Sequence, residues 1–190
     1  KEKMTQINRV IEQAKAQGAT EYASKSLNRA QQYLSHAREV FNQKKYADVH
    51  PVADKASDFA YQIIEDLRKV CQKQLGQSTQ QHASAKEAGA EKHAAQLLNQ
   101  AESLMNQAKS QLSEEEFRQS LGSSRRSVEI GNQAEGQAYR LRTDQAFEII
   151  KIEKQLALDS GSKEHSAAEF LTAVDAEQNA VKHYQARNFR

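Results

Sequence analysis

Tryptophan is absent from these 190 residues, cysteine and proline occur once each, and glycine occurs only seven times. A single thiol, Cys71, cannot close an intramolecular disulfide, so no disulfide framework holds this fold. Cys71 sits among Ile64, Leu67 and Val70, which suits a small buried apolar side chain. So few turn-forming residues argue against the closely spaced turns of an all-β chain. No apolar run long enough for a membrane-spanning helix is present. The opening KEKMTQINRV lacks the apolar stretch of a signal peptide, but it begins at Lys1 rather than Met. Envelope anchoring would therefore need a segment upstream of Lys1. An excess of one charge is missing too. The chain carries 27 basic and 25 acidic residues for a net charge of +2. They are intermixed, so the clustered basic stripe of a nucleic-acid surface is not expected.

Alanine, glutamine, glutamate and lysine fill the space that is left. Apolar residues make up 38% and mean hydropathy is −0.86. Such a composition favours helices that each bury one stripe and solvate the rest. The apolar residues are periodic and the charges balanced, which argues against disorder.

One stretch returns. Ala14 to Ala37 reads AKAQGATEYASKSLNRAQQYLSHA, and Ala85 to Ala108 reads AKEAGAEKHAAQLLNQAESLMNQA. Without a gap, Gly18 falls on Gly89, Ala23 on Ala94, Leu27 on Leu98, Asn28 on Asn99, Ala30 on Ala101 and Ala37 on Ala108. A fainter third copy begins at Gly161, with Phe170 at the place of Leu27, Ala173 at Ala30, Ala180 at Ala37 and Phe189 at Tyr46. Glu177 breaks the pattern where Leu34 stood.

Within a copy, Ala23, Leu27, Ala30, Leu34, Ala37 and Phe41 step by four and three, a narrow helical seam. Residues 42–46 form a turn. After it Val49, Val52, Ala56, Phe59, Ile63, Leu67 and Val70 continue the same steps, widened by Ala53, Ala60, Ile64 and Cys71. Pro51 has no amide to give and suits a first turn, so this helix should begin near Tyr46 to Asp48. In the second copy Ser113 and Glu116 read as a capping box, which would start that helix earlier and make the two turns differ. The second seam runs from Phe117, Leu121, Ser124, Val128, Gly131 and Ala138 on to Leu141, Gln145, Ile149, Ile152 and Leu156. Gly131 matches Ala60, which predicts close helix contact. Gly136 could serve the same contact, and a hinge at Gly122, Gly131 and Gly136 is the alternative.

These patterns predict an all-α protein, an elongated monomer in which short and long helices alternate and pack as stacked three-helix bundles. The repeats divide it at 1–88, 89–160 and 161–190. Counted from Gly161, Arg190 corresponds to Ala47 at the start of a long helix. Either the chain continues beyond Arg190 or the last short helix is a cap, and Glu177 fits a cap's polar outer face.

Chemical signatures are sparse. Six histidines occur, but Glu-x-x-His, HExxH, CxxC and P-loop patterns do not. His93 and His165 take the repeat position of Tyr22, which suits packing or surface more than metal ligation. The tyrosines are spread along seam and turn positions and read as packing residues. No cofactor, metal or catalytic residue is expected, and the protein reads as a non-enzyme. The one candidate site is for a protein partner: Arg125 and Arg126, next to a groove flanked by Ala94 to Met105 and Ser120 to Ala138.

FNQKKYADVHPVADKA resembles the inter-helix turn of a tetratricopeptide repeat. GATEYASKSLNRAQQYLSHAREVFNQKKYADVHPVADKASDFA more closely resembles an Ala-rich helical domain of uncharacterised function in bacterial envelope lipoproteins, often followed by an OmpA-like domain. That resemblance implies a periplasmic or outer-membrane-associated scaffold or spacer. The alternatives are a cytoplasmic location, a surface-exposed adhesin or host-protein binder on the same helices, and a cofactor-binding bundle.

Overall fold

In the computed structural model, residues 2–185 are described, and all their regular structure is helical. Phe189 and Arg190, on which the third-copy alignment partly rests, lie outside them. The helices are α1 (Glu2–Ala16), α2 (Ala19–Tyr22), α3 (Ser24–Asn42), α4 (Tyr46–Glu87), α5 (Ala90–His93), α6 (Ala95–Ser113), α7 (Phe117–Asp159), α8 (Ser162–His165) and α9 (Ala167–Gln185).

The glycines of the repeat each perform one task. Gly18, Gly89 and Gly161 have φ of +98°, +91° and +74°, which a residue with a Cβ adopts only with strain. Each is followed by a four-residue helix and then a 19-residue helix. The break between the two has no glycine or proline to announce it. Ala23 and Ala94 make it at φ −135° and −147°.

The turns from short to long helix also match, contrary to the expectation that they differ. Ser113 is the last residue of α6, and α7 begins at Phe117, the repeat position of Tyr46. Lys44 and Glu115 take left-handed φ of 63° and 60°. Around them Lys45 N bonds Val40 O while Lys44 N bonds Phe41 O, and Glu116 N bonds Gln111 O while Glu115 N bonds Leu112 O. This pairing is the Schellman closure of a helix C-terminus, here without its usual glycine. The Ser113 hydroxyl donates to Ser110 O of its own helix instead of capping α7. Pro51 lies in the second turn of α4 rather than the first, so the carbonyl of Ala47 has no amide to receive at that position.

By spatial contact the chain forms two units, Lys1–Gln80 with Ala101–Val128, and Gln81–Gln100 with Glu129–Arg190. In the first unit Met4, Ile7 and Ile11 of α1, Leu27, Ala30 and Leu34 of α3, and Ala53 to Cys71 of α4 make one core. Phe117 and Leu121 of α7 close it. Over residues 49–60 of α4 the small residues lie innermost. Ala53, Ala56 and Ala60 are buried, while Val49, Val52 and Phe59 flank them half-buried. Alanines let helix axes approach, and the larger side chains then close over the contact. Tyr33 stacks on Phe59 at 5.4 Å. Cys71 is fully buried, its thiol donating to Phe117 O at 3.4 Å, and burial pushes its pKa up. Not every tyrosine packs as expected, since Tyr61 is exposed.

In the second unit Ala85, Ala88, Ala90, Ala94 and Leu98 pack with Ala134 and Ala138 of α7. A Cβ on Gly131 would stand 2.9 Å from Gln81 Cγ, so the predicted close approach is real. One on Gly136 would meet nothing within 4 Å, and α7 continues helical through both. Among the described residues no helix is long and apolar enough to cross a membrane.

Candidate functional site

Around Arg125 and Arg126 the first half of α7 is closed against α6 rather than open to it. Small side chains make this possible. The Ser120 hydroxyl donates to Ala108 O at 2.8 Å and the Ser127 hydroxyl to Ala101 O at 2.7 Å. The Ser78 hydroxyl donates to Ser127 Oγ at 2.6 Å. Ser120, Ser124 and Ser127 are all buried. Ser124 and Ser127 stand where α4 has Ala53 and Ala56, so hydroxyls replace methyls in the same seam. Ser124 falls on the expected seam, whereas Ser120 and Ser127 are buried positions that the seam passes over.

Arg125 is turned away from that seam. Its Nη2 donates to Tyr22 Oη at 2.9 Å, and its guanidinium lies 5.5 Å from the centre of the Tyr22 ring. The Tyr22 hydroxyl is pushed above its ordinary pKa, first by its hydrogen bond to Glu21 and then by burial, with Arg125 pulling the other way. Arg125 therefore ties α7 to the one-turn helix after Gly18, while Arg126 is exposed. Adjacent helix positions point about 100° apart, so the two arginines do not form one joint cradle.

The histidines are dispersed. His36, His50 and His165 are exposed, His93 is half-buried beside its turn, and half-buried His82 has a buried Nδ1 without a partner. Among the described residues no three His, Cys, Asp or Glu side chains gather as metal ligands would.

A second surface lies between α7 and α9, in the second unit. It encloses about 400 Å³ along Ile149, Ile150, Ala157, Phe170, Ala173 and Val174, with Glu153, Lys154 and Glu177 at its edges. Phe147 meets Tyr184 edge-on at 5.2 Å, the Tyr184 hydroxyl donates to Asp144, and Lys154 pairs with Glu177. These contacts run α9 antiparallel to α7. They cover only one side of the stripe. Ile149, Ile152 and Leu156 are 60%, 59% and 57% exposed. Leu171 is exposed as well, among exposed Thr172, Asp175, Gln178, Asn179 and Lys182, while Glu177, expected on the outer face of a cap, turns toward Lys154 of α7. Ala173 is exposed, whereas its counterparts Ala30 and Ala101 are buried, so the seam assignment holds for two copies and not for the third.

Neither a family model, nor a curated protein, nor a solved structure matches this chain.

Proposed function

We propose that this protein is a non-catalytic interaction module that offers a helical surface to a protein partner. The observation that carries the reading is the uncovered stripe Ile149, Ile152 and Leu156 beside the apolar groove of α7 and α9. Elsewhere the chain buries its seam under alanine and serine. Keeping several large aliphatic side chains in water costs about 1.5–3 kcal/mol each relative to burial, and contiguous patches of this kind mark binding faces. Arg125 and Arg126 lie in the first unit, where Arg126 offers an exposed charge and Arg125 acts through Tyr22.

Resemblance to the envelope lipoprotein domain supports a periplasmic, scaffold-like setting, to be tested by fractionating cells that express the full gene. The binding reading is tested by a photo-crosslinking residue placed at Leu156, with Glu129 as control. Crosslinks to one protein from Leu156 and none from Glu129 support it. Equal silence at Leu156, Leu171 and Arg126 refutes it and favours a pure spacer.

A further inference from the structure

Two exposed faces depart from the repeat in complementary ways. The first lies between α3 and α4, in the first unit. Tyr33 and Phe59 stack there, and a cation from each helix reaches the ring of the other. Arg29 stands 5.3 Å from the centre of Phe59, and Lys55 stands 5.8 Å from that of Tyr33. A groove of about 470 Å³ opens along Arg29, Gln32, Tyr33, His36 and Phe59, and among the described residues no carboxylate lines it. His36 faces Glu39 at 3.9 Å, and Asp66, farther along α4, accepts from Ser26 and Gln62. Lys3, Lys15 and Arg68 pair with carboxylates, whereas among the described residues Arg29 and Lys55 do not. In the second copy the positions of Arg29, Tyr33, His36 and Phe59 hold Gln100, Leu104, Gln107 and Ile130, so the helix pair itself does not require rings or Arg29.

The second face is the stripe of α7. Counted from Gly89 to Gly161, Ile149 stands at the position of Gln77, Ile152 at Gln80, Leu156 at Ser84 and Glu148 at Gly76. Gln77 and Gln80 are exposed, although Ser78 and Thr79 beside them are bonded to Ser127 of α7 and Met105 of α6. A helix seated at the corresponding place beside α9 therefore leaves Ile149 and Ile152 facing outward. At about 100° per residue, Glu148, Glu153 and Asp159 lie within about 75° of the stripe, whereas Lys151 and Lys154 lie about 130° or more from it. Lys154 pairs with Glu177, and Arg142, before the stripe, donates to Ala88 O at 3.2 Å.

We infer that these two faces dock on each other between two copies of this chain, head to tail. The α7 stripe of one copy lies over Tyr33 and Phe59 of the next, and its flanking carboxylates meet Arg29 and Lys55. This rests on the interaction-module reading above and names the partner of its stripe. The spacings match. Contacts of Ser26 with Asp66, Tyr33 with Phe59 and Phe41 with Tyr46 run α3 antiparallel to α4. Arg29, one turn before Tyr33, and Lys55, one turn before Phe59, therefore stand at opposite ends of the ring pair, about two turns or 11 Å apart. Ile149 to Leu156 spans the same two turns, with Glu148 before it and Asp159 after it. Aliphatic side chains thus fall on the rings while opposite charges meet at both ends. Because the two patches differ, the contact can extend beyond a pair.

Sedimentation velocity of the full chain over a concentration series tests this. Expected is weak association that grows with concentration and falls as salt is raised, because the contact is smaller than the roughly 1,200 Å² of stable complexes and partly electrostatic. Arg29→Glu with Lys55→Glu should weaken it about tenfold, and Glu148→Lys with Asp159→Lys by as much. Helicity should be unchanged in both, since all four side chains are exposed. Mixing the two reversed variants should restore association, as a contact between unlike faces requires and one between like faces does not. Crosslinking an equal mixture of light- and heavy-isotope chains should join residues 148–159 of one copy to residues 25–59 of another. No association, association indifferent to either reversed pair, no recovery on mixing, or crosslinks confined to single chains overturns the inference. Crosslinking of a different protein from Leu156, without self-association, removes this partner but leaves the interaction reading standing. Silence in both removes the two together.

Discussion

Substituting glutamate at Ala101 and, separately, at Ala173 tests the packing at its most sensitive point. The two alanines hold the same repeat position, but Ala101 is 1% exposed under Ser127 while Ala173 is exposed. At Ala101 a carboxylate is cut off from water, and the nearest hydroxyl, that of Ser127, already donates to Ala101 O. The carboxylate will bind a proton instead of staying charged. Raising its pKa from about 4.3 to beyond neutral costs up to about 4 kcal/mol at pH 7, at about 1.4 kcal/mol per unit. The added volume in a tight alanine contact costs roughly a further 1–3 kcal/mol. A folded-state pKa raised above the unfolded one favours the native state below the unfolded value and disfavours it as pH rises. The ionisation part of the penalty should therefore fade as pH falls from 7 toward 4.3, while the volume part stays. Urea unfolding followed by helical circular dichroism at both pH values, with Ala101→Gln as the uncharged comparator, separates the parts. Ala173→Glu should cost less than about 0.5 kcal/mol, as exposed substitutions do. Ala101→Glu within about 1 kcal/mol of the parent, or equal losses at the two sites, would refute the packing argument.

Lys44→Gly should stabilise the protein by about 0.5–1 kcal/mol, because it relieves a left-handed backbone that a Cβ strains; a lower urea midpoint would contradict that. Gly89→Ala should destabilise by about 1 kcal/mol or more, since its φ is +91°. Gly136→Ala, with open space around its Cβ, should raise the thermal midpoint, worth about 0.5–1 kcal/mol of helix propensity; Gly131→Ala, 2.9 Å from Gln81 Cγ, should bring no such gain. Cys71 should react with a thiol reagent only after unfolding. Burial raises its pKa, so the stability this confers is complete below the ordinary thiol value and declines as pH rises through the folded one, which alkaline urea titrations of wild type against Cys71→Ala would show.

Helix class, the return of one pattern, the glycine turns and the innermost positions of the first two copies were all legible in the residues. Each depends on local properties. A three- and four-residue step is a property of one helix, and a positive φ beside Gly18, Gly89 and Gly161 is a property of one residue. The closed turns at Lys44 and Glu115 were less legible, because a lysine or glutamate in left-handed conformation carries no mark in its name. Ser124 was on the expected seam of α7, but the burial of Ser120 and Ser127 was hidden for a related reason. Whether a serine hydroxyl faces water or a carbonyl of α6 depends on how near that helix comes, and only packing sets that distance. Arg125 likewise looks like a free surface charge until Tyr22, a hundred residues earlier, is brought beneath it. Most of all, Ile149, Ile152 and Leu156 continue the periodic stripe as faithfully as Leu121 does, yet Leu121 is buried and they are not. Periodicity determines that a stripe exists. Whether it is covered depends on a second element placed against it, and that placement belongs to the tertiary structure alone.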